Sequence, residues 1–383
     1  MKSSKIMVMA ALVTAQAFGG GIDRGLLVDF LSVPSERLNN AEINRSIDVL
    51  KAWLEPRGVF CSVTTNDVGR AWLYAATVPE KSTDYLFVGH VDVVPAPKPM
   101  FTPRIEGDRI FARGACDTKG NDIVMCQVLA NLVGKASVGM FLASEEEGGG
   151  PGKRSPVQAI EFGHVPRKLV LVGDSAGEEP GQLFTAEKGH SVFTLIARGR
   201  GGHSSRPWAL DNPVPKLCEG YLRFRSAWDP DADPNEHWRT VLSPTAIHAS
   251  DAGNVVADSA EMSLSCRYVS MADYERAVKT LKETTGLEVK AAPGRRPVEN
   301  KPDDPEIAAL LKAMNEGIPG GIREGRMSAA TDASYYATTG VPIVIFACDG
   351  GEPHSDREWG SLKALDDYAD FFTAYLGKRA AIR

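Results

Sequence analysis

His90-Val91-Asp92 sets an imidazole and a carboxylate two residues apart. On an extended backbone residues i and i+2 point the same way, so Asp92 can reach the imidazole. A metal-bound histidine commonly donates its other ring N–H to a carboxylate, which fixes the tautomer and raises basicity; a strand-end histidine beside a solvated aspartate has the same sequence. Arg113-Gly114-Ala115-Cys116-Asp117-Thr118-Lys119-Gly120 places Asp117 just before an apolar helical segment. There it is either a helix cap or a carboxylate bridging two metal ions. Glu145-Glu146-Glu147 crowds three carboxylates between an apolar run and three glycines. A divalent cation would relieve their repulsion and leave one of them free as a base. Asp174 directly follows Leu169-Val170-Leu171-Val172-Gly173, and His354 lies in the loop sequence Gly350 to Asp356. Such a mixed set of histidine and carboxylate ligands suits Zn²⁺ or a similar first-row ion.

The elements that must carry these residues are short apolar runs. Tyr85 to Gly89 leads into His90, Val138 to Ala143 into the three glutamates, Leu169 to Gly173 into Asp174, and Val341 to Ala347 ends shortly before His354. Continuous apolar strands fit a sheet covered by helices on both faces, and ligands of such sheets bind beyond the carboxyl ends of the strands. Helices are expected over Ala41 to Leu54, Asp122 to Val133 and Asp304 to Met314. From about Thr185 the texture changes: Ser191 to Ala197 and Glu261 to Tyr268 alternate as half-exposed strands do, with helical segments between and after them, the second over Asp273 to Thr284. The expected fold is α/β, a mixed, mostly parallel sheet covered by helices. Residues 1–184 and 297–383 form this catalytic domain, and residues 185–296 form an inserted, smaller α+β domain.

Composition narrows the partner. The 383 residues carry a net charge of −6 with no block of Lys or Arg, which disfavours nucleic acid and anionic membrane and leaves a small molecule or peptide. Six cysteines (Cys61, Cys116, Cys126, Cys218, Cys266, Cys348) form no Cys-x-x-Cys pair, so neither a zinc ribbon nor a disulfide framework is indicated and most are expected to be buried thiols. No apolar run reaches the about 18 residues of a membrane span. Lys2 and Lys5 precede the apolar stretch Ile6 to Val13, and Ala15-Gln16-Ala17 resembles a signal peptidase site. Because that stretch is short and the thiols suit a reducing compartment, the cytoplasm is expected ahead of export.

Taken together, Gly89-His90-Val91-Asp92, the Arg113 to Gly120 segment, Ser144-Glu145-Glu146-Glu147-Gly148, Val172-Gly173-Asp174, Gly202-His203-Ser204-Ser205-Arg206-Pro207 and the His354 loop run in one order along most of the chain. In that order the sequence resembles the zinc-dependent deacylases and exopeptidases that include acetylornithine deacetylase, succinyl-diaminopimelate desuccinylase, aminoacylase and glutamate-releasing carboxypeptidases. The resemblance implies two Zn²⁺ ions, with Co²⁺ or Mn²⁺ as substitutes. His90 and Asp174 would hold one, Glu147 and His354 the other, and Asp117 would bridge them. Asp92 would orient His90, and Glu146 would be the general base that activates a water lying between the ions. His203 would donate to the oxyanion, in its own subunit or, as is frequent in the family, in the neighbouring one of a homodimer built on the inserted domain. Asn254 and Arg267 would bind the substrate, Arg267 by gripping a carboxylate. Asp332 would support the site without taking part in the chemistry, and His190 would shape the hinge between the domains. His164, His237 and His248 have no partner spacing.

The expected activity is hydrolysis of the amide bond of an N-acyl amino acid, with acetylornithine-like substrates favoured by Glu187-Lys188-Gly189-His190 and Gly202 to Ser205. A metallo-dipeptidase or carboxypeptidase is the alternative, because Asp174 stands where deacetylases and desuccinylases usually carry Glu. A catalytically silent binding protein is a further alternative, disfavoured because every ligand position is filled.

Overall fold

The computed structural model describes residues 20–148, 154–174, 181–229, 233 and 236–382. Lys2, Lys5 and the Ala15-Gln16-Ala17 segment lie outside them. The apolar runs become neighbouring strands of one nine-stranded sheet. Its spatial order is Phe60–Thr65, Ala71–Ala76, Val138–Ala143, Tyr85–His90, Leu169–Val172, Ile343–Phe346, Gln182–Glu187 and Val298–Glu299, with Arg323–Met327 paired to Gln182–Glu187. The four strands from Val138–Ala143 to Ile343–Phe346 run parallel, and antiparallel pairs flank them.

Alternation along the parallel strands sends side chains into two separate cores. Tyr85, Phe87, Leu169 and Leu171 pack toward the helices Arg24–Leu31, Asn40–Leu54, Lys119–Leu132, Pro305–Gly317 and Leu362–Arg379. Leu86, Val88, Val170 and Val172 point the other way, toward the short helices Ser155–Glu161 and Ala333–Tyr336. With both faces covered, these strands need no polar positions. Helix Lys119–Leu132 begins three residues before its expected start at Asp122, and Thr118, not Asp117, occupies the cap position. Lys119 can start the helix although it is fully buried, because its Nζ donates to the carbonyls of Phe30 (3.1 Å) and Val33 (2.8 Å). That bond pair ties the helix to the end of the first one.

The expected boundary at residue 185 falls inside Gln182–Glu187, which pairs with Ile343–Phe346 and Arg323–Met327 in the large sheet. The smaller sheet starts at Gly189, where any Cβ would strike the Tyr268 ring. Its four strands lie in the order Val241–His248, Ser259–Tyr268, Gly189–Arg198, Glu288–Lys290. Helices Pro213–Ala227 and Met271–Thr284 pack on it around a core of its own. The chain re-enters the large sheet at Val298–Glu299. No disulfide joins the described cysteines; Cys126, Cys266 and Cys348 are buried, Cys61 and Cys116 half-buried, and Cys218 exposed. Among the described residues no helix is long and apolar enough to cross a membrane.

Helix Leu362–Arg379 closes the first core through Phe372, which is fully buried with ring centroids 5.3 Å from Phe87 and 4.8 Å from Phe346. Phe372→Ala therefore removes a ring from beneath two strands that lead to the site. It is expected to cost about 3–5 kcal/mol in urea unfolding; a loss below about 1 kcal/mol would show that the helix is not held this way.

Candidate metal centre and the cleft beside it

Three parallel strands end at one rim. In their register His90 stands opposite Ala143, and Val88 stands opposite Val172, so Ser144–Glu147 and Asp174 emerge beside His90. Gly89 is needed just before it because a Cβ there would strike the Asp122 carboxylate and Met125. Asn121 fixes the neighbouring strand ends, its amide donating to the Gly173 carbonyl (3.0 Å) and its Oδ1 accepting from the Cys348 N–H (3.0 Å). Asp117 arrives from the loop before helix Lys119–Leu132. His354 arrives from the loop between Gly350–Gly351 and Trp359–Ser361, with a left-handed backbone (φ 61°) at His354 itself.

The side chains then form two triads that share Asp117. The ligand-competent atoms of His90, Asp117 and Asp174 lie within 4.8 Å of one another, and so do those of Asp117, Glu147 and His354. His90 Nε2 is 3.4 Å from Asp117 Oδ1 and 3.8 Å from Asp174 Oδ2. His354 Nε2 is 3.1 Å from Asp117 Oδ2 and 3.2 Å from Glu147 Oε1. Two donors each about 2.0–2.2 Å from one tetrahedral ion would stand about 3.3–3.6 Å apart, close to these separations. His90 Nε2 is also buried with no hydrogen-bond partner among the described residues. The donor set and the orphaned nitrogen fit a pair of divalent cations, which Asp117 would share between the two triads.

Electrostatics point the same way. Burial alone would push His90 down, but the Asp117 carboxylate facing it, then the charges of Asp174 and Asp92, hold it well above the usual imidazole value. His354 is pushed up to about 10 by its bonds to Asp117 and Glu147. Burial would raise Asp117, yet His354 and His90 outweigh it and hold that carboxyl below the usual range. Without a cation, these carboxylates favour the protonated form of both histidines.

Asp92 does not orient His90 through its carboxylate, as the sequence suggested. The His90 Nδ1 bond goes to the Asp92 carbonyl at 2.9 Å, and the carboxylate oxygen stands 3.7 Å away. That carboxylate instead accepts the backbone N–H groups of Glu146 (3.1 Å) and Glu147 (3.0 Å), so it sets the turn carrying both glutamates. Burial pushes it up to about 6. The three glutamates go three ways. Glu147 faces His354; Glu145 turns back to accept from Ser144 Oγ (2.8 Å) and the Ser155 N–H; Glu146 points into the cleft, where Arg295 meets it.

The smaller domain brings some of the expected residues together. His203 and Asn254 sit side by side because Gly202–His203 pairs with Val255–Val256 and the Asn254 carbonyl accepts from the Ser204 N–H (3.0 Å). Both are exposed, and the His203 ring is bonded to Ser205 (2.8 Å), with no hydrogen bond or ion pair to the triads among the described residues. Arg267 is half-buried, in register with His190 across the small sheet. His190 in turn exchanges two backbone bonds with Arg295, each 2.9 Å, so the expected hinge histidine is where the two chain crossings are tied. Asp332 is buried near Glu146. Burial first, then the Glu146 charge, pushes it up to about 7 against the pull of Arg295. Of the remaining histidines, His164 stacks on Tyr74 (3.7 Å between centroids), the His237 carbonyl accepts from Lys188 Nζ (2.8 Å), and His248 lies exposed on Val241–His248.

Two residues escaped the sequence reading. Glu358 is fully buried and accepts the N–H groups of Cys116 and Asp117 on one oxygen (3.1 Å each) and the Arg113 guanidinium on the other. It thus holds the backbone of the shared ligand from four residues beyond His354. Arg295 lies one residue before the expected end of the inserted domain at 296, with no local motif around it. Only its pairing partner, far away in sequence, marks it.

Glu358→Gln keeps the shape but loses the charge facing Arg113, and it is expected to weaken metal binding about 10- to 100-fold, read by titration against a competing chelator. Unchanged affinity would mean that Asp117 does not need this support. Raised imidazole values also carry a sign: in the metal-free protein both rings hold their protons to higher pH than a free imidazole, and they must lose them to become ligands. Metal uptake at about pH 7.5 is expected to release about two protons, measured by calorimetry in buffers of different ionisation enthalpy. A heat independent of buffer would contradict the arrangement. In the metal-free protein the His354 contacts stabilise the fold below the ordinary imidazole value, and that contribution is lost as the pH rises through about 10.

Residues 86–378 match peptidase family M20/M25/M40. A succinyl-diaminopimelate desuccinylase of Erythrobacter litoralis is 25% identical over 342 residues, covering 83% of this chain and 89% of that protein. Among solved structures, an aminopeptidase from Bacillus cereus superposes with a TM-score of 0.75 at 18% identity, covering 93% of this chain and 99% of that one. A metallo-carboxypeptidase from Sulfolobus solfataricus gives 0.73 at 18%, with the same coverage. With a metal-competent centre at the strand ends and a family match spanning most of its length, the chain belongs to peptidase family M20/M25/M40 and is a metal-dependent amide-bond hydrolase.

Proposed function

We propose that the protein removes the acyl group from an N-acyl amino acid, with two Zn²⁺ ions held by His90, Asp117 and Asp174 and by Asp117, Glu147 and His354. The observation that carries this reading is the pair of triads sharing one carboxylate. Bound there, the cations supply Lewis-acid polarisation of the scissile carbonyl and an acidified water. The chain's own residues do the rest. Glu146 Oε1, on the cleft side of the rim, takes the water's proton and returns it to the amide nitrogen as the C–N bond breaks. Asp92 holds Glu146 and Glu147 in place by their N–H groups. Arg267 grips a substrate carboxylate, and Asn254 lies beside His203 as a further substrate contact. His203, carried on the small domain, serves the oxyanion of a partner subunit in a homodimer formed through that domain. The reaction belongs in the cytoplasm.

The acyl group is the finer question. Acetylornithine-like motifs favour acetyl, whereas the Erythrobacter relative is named for removing succinyl. Arg267 and Arg295 favour an anionic acyl chain or amino acid over a neutral dipeptide. Asp174 supports the peptidase reading as the second possibility.

The test is a panel of N-acetylornithine, N-succinyl-diaminopimelate and simple dipeptides offered to the zinc-loaded protein, together with Glu146→Gln. Turnover of an N-acyl amino acid is expected to exceed that of dipeptides. The Gln variant should keep its metal and lose about 10²–10⁴ in kcat. Dipeptide turnover alone would favour the peptidase, and an unchanged kcat would remove Glu146 from proton transfer.

A further inference from the structure

Glu146 is already engaged. Arg295 Nη1 donates to Glu146 Oε1 and to the Ala330 carbonyl (3.0 Å), and Nη2 donates to the Glu146 carbonyl (3.2 Å). An oxygen accepting from a guanidinium in this way must be released before it can take a proton from water. The backbone of Arg295 is fixed by its two bonds with His190, whereas its side chain keeps one-fifth of its surface exposed (20%). The side chain can therefore move while the chain stays still.

A cavity of about 600 Å³ opens on this side chain, a size suited to a small metabolite. Arg154, Arg295 and Arg296 line it with His190 and Tyr335, against one glutamate, Glu161. Arg267 lies just behind, in register with His190. The Glu187 carboxylate is fully buried, and one of its oxygens accepts from Thr331 N–H (3.0 Å) and Oγ1 (2.6 Å). So many cations around one cleft favour an anionic occupant. A guanidinium has five N–H donors in a fork that fits a carboxylate, more than the three bonds Arg295 makes among the described residues.

We propose that Arg295 is a substrate-operated latch on Glu146: a carboxylate of the substrate entering the Arg154–Arg295–Arg296 cavity takes over the guanidinium and frees Glu146 Oε1 for proton transfer. This rests on the amidohydrolase reading above and makes Arg295 a positioning residue that acts through Glu146. A substrate without that carboxylate still binds but leaves the latch closed, so discrimination falls on kcat and not on KM alone. The carboxylate can belong to the acyl chain or to the amino acid, and the two sources are separable.

The experiment compares N-succinylornithine, N-succinamoylornithine and N-succinylornithinamide as substrates of the zinc-loaded wild type and of Arg295→Ala, Arg295→Lys and Arg296→Ala. In the wild type one of the two neutralised substrates is expected to lose about tenfold or more in kcat, and which one loses identifies the source. Arg295→Ala should bring the kcat values within about twofold of each other, and Arg295→Lys should keep part of the difference. Arg296→Ala, which removes cavity charge without touching Glu146, should raise KM for the charged substrate and preserve the kcat ratio. The latch is overturned if Arg295→Ala keeps the wild-type kcat ratio, if it lowers kcat for all substrates by one factor, or if the wild type turns over charged and neutralised substrates with equal kcat. If the wild type turns over none of the three but hydrolyses N-acetylornithine, the latch is overturned and the deacylase reading stands; if it hydrolyses neither these nor N-acetylornithine, the N-acyl amino acid reading falls, and the latch with it.

Discussion

One buried carboxylate with a histidine at each of its oxygens is the constraint on which the rest depends. Asp117 faces His90 with Oδ1 and His354 with Oδ2, and Asp174 and Glu147 complete the two sides. Asp92, Asp117, Glu147 and Asp174 are all buried at this rim. Several carboxylates out of water at short range repel strongly unless positive charge lies among them. Protonated histidines can supply part of that charge; divalent cations supply it without occupying the imidazole nitrogens with protons, and they convert the same groups into ligands. The surrounding scaffold is arranged to hold this concentration of charge in place.

The sheet does so by register. Parallel strands with no polar residue in their bodies deliver His90, the glutamates and Asp174 to one edge, while helix Lys119–Leu132 stands behind them and ties two strand ends through Asn121. The rigid side of the site therefore belongs to the large domain. The smaller domain and its return crossing bring Arg267, His190 and Arg295 together, through the Gly189–Arg198 and Ser259–Tyr268 pairing and the two backbone hydrogen bonds between His190 and Arg295. The metal-competent side chains and this arginine-bearing strand pair thus belong to separate packing units, each with its own core.

Much of this was legible in the sequence because strand-end residues follow directly from apolar runs. Val138–Ala143 has the expected bounds, and the runs before His90 and Asp174 end within a residue of them, since continuous burial leaves little freedom of phase. Asp117 was ambiguous between cap and ligand, and the structure gives the cap to Thr118 while turning Asp117 toward the histidines. Asp92 was expected to act through its side chain, but the strand turns at His90 so that its carbonyl meets the ring and its carboxylate meets the next turn. Glu358 and Arg295 were not legible. Each works through a partner more than a hundred residues away, Asp117 and Glu146 respectively, and no periodicity or local spacing encodes such a pair. The domain boundary moved for a similar reason: Gln182–Glu187 alternates little by itself, and only its pairing with Ile343–Phe346 assigns it to the large sheet.

The most direct measurement of the shared-carboxylate centre is anomalous scattering from crystals of the zinc-loaded protein. The account predicts two peaks about 3.5–4 Å apart, one on each oxygen of Asp117, the first within bonding distance of His90 and Asp174 and the second of Glu147 and His354. Peaks only at other positions, or none at all in crystals that contain stoichiometric zinc, would contradict it.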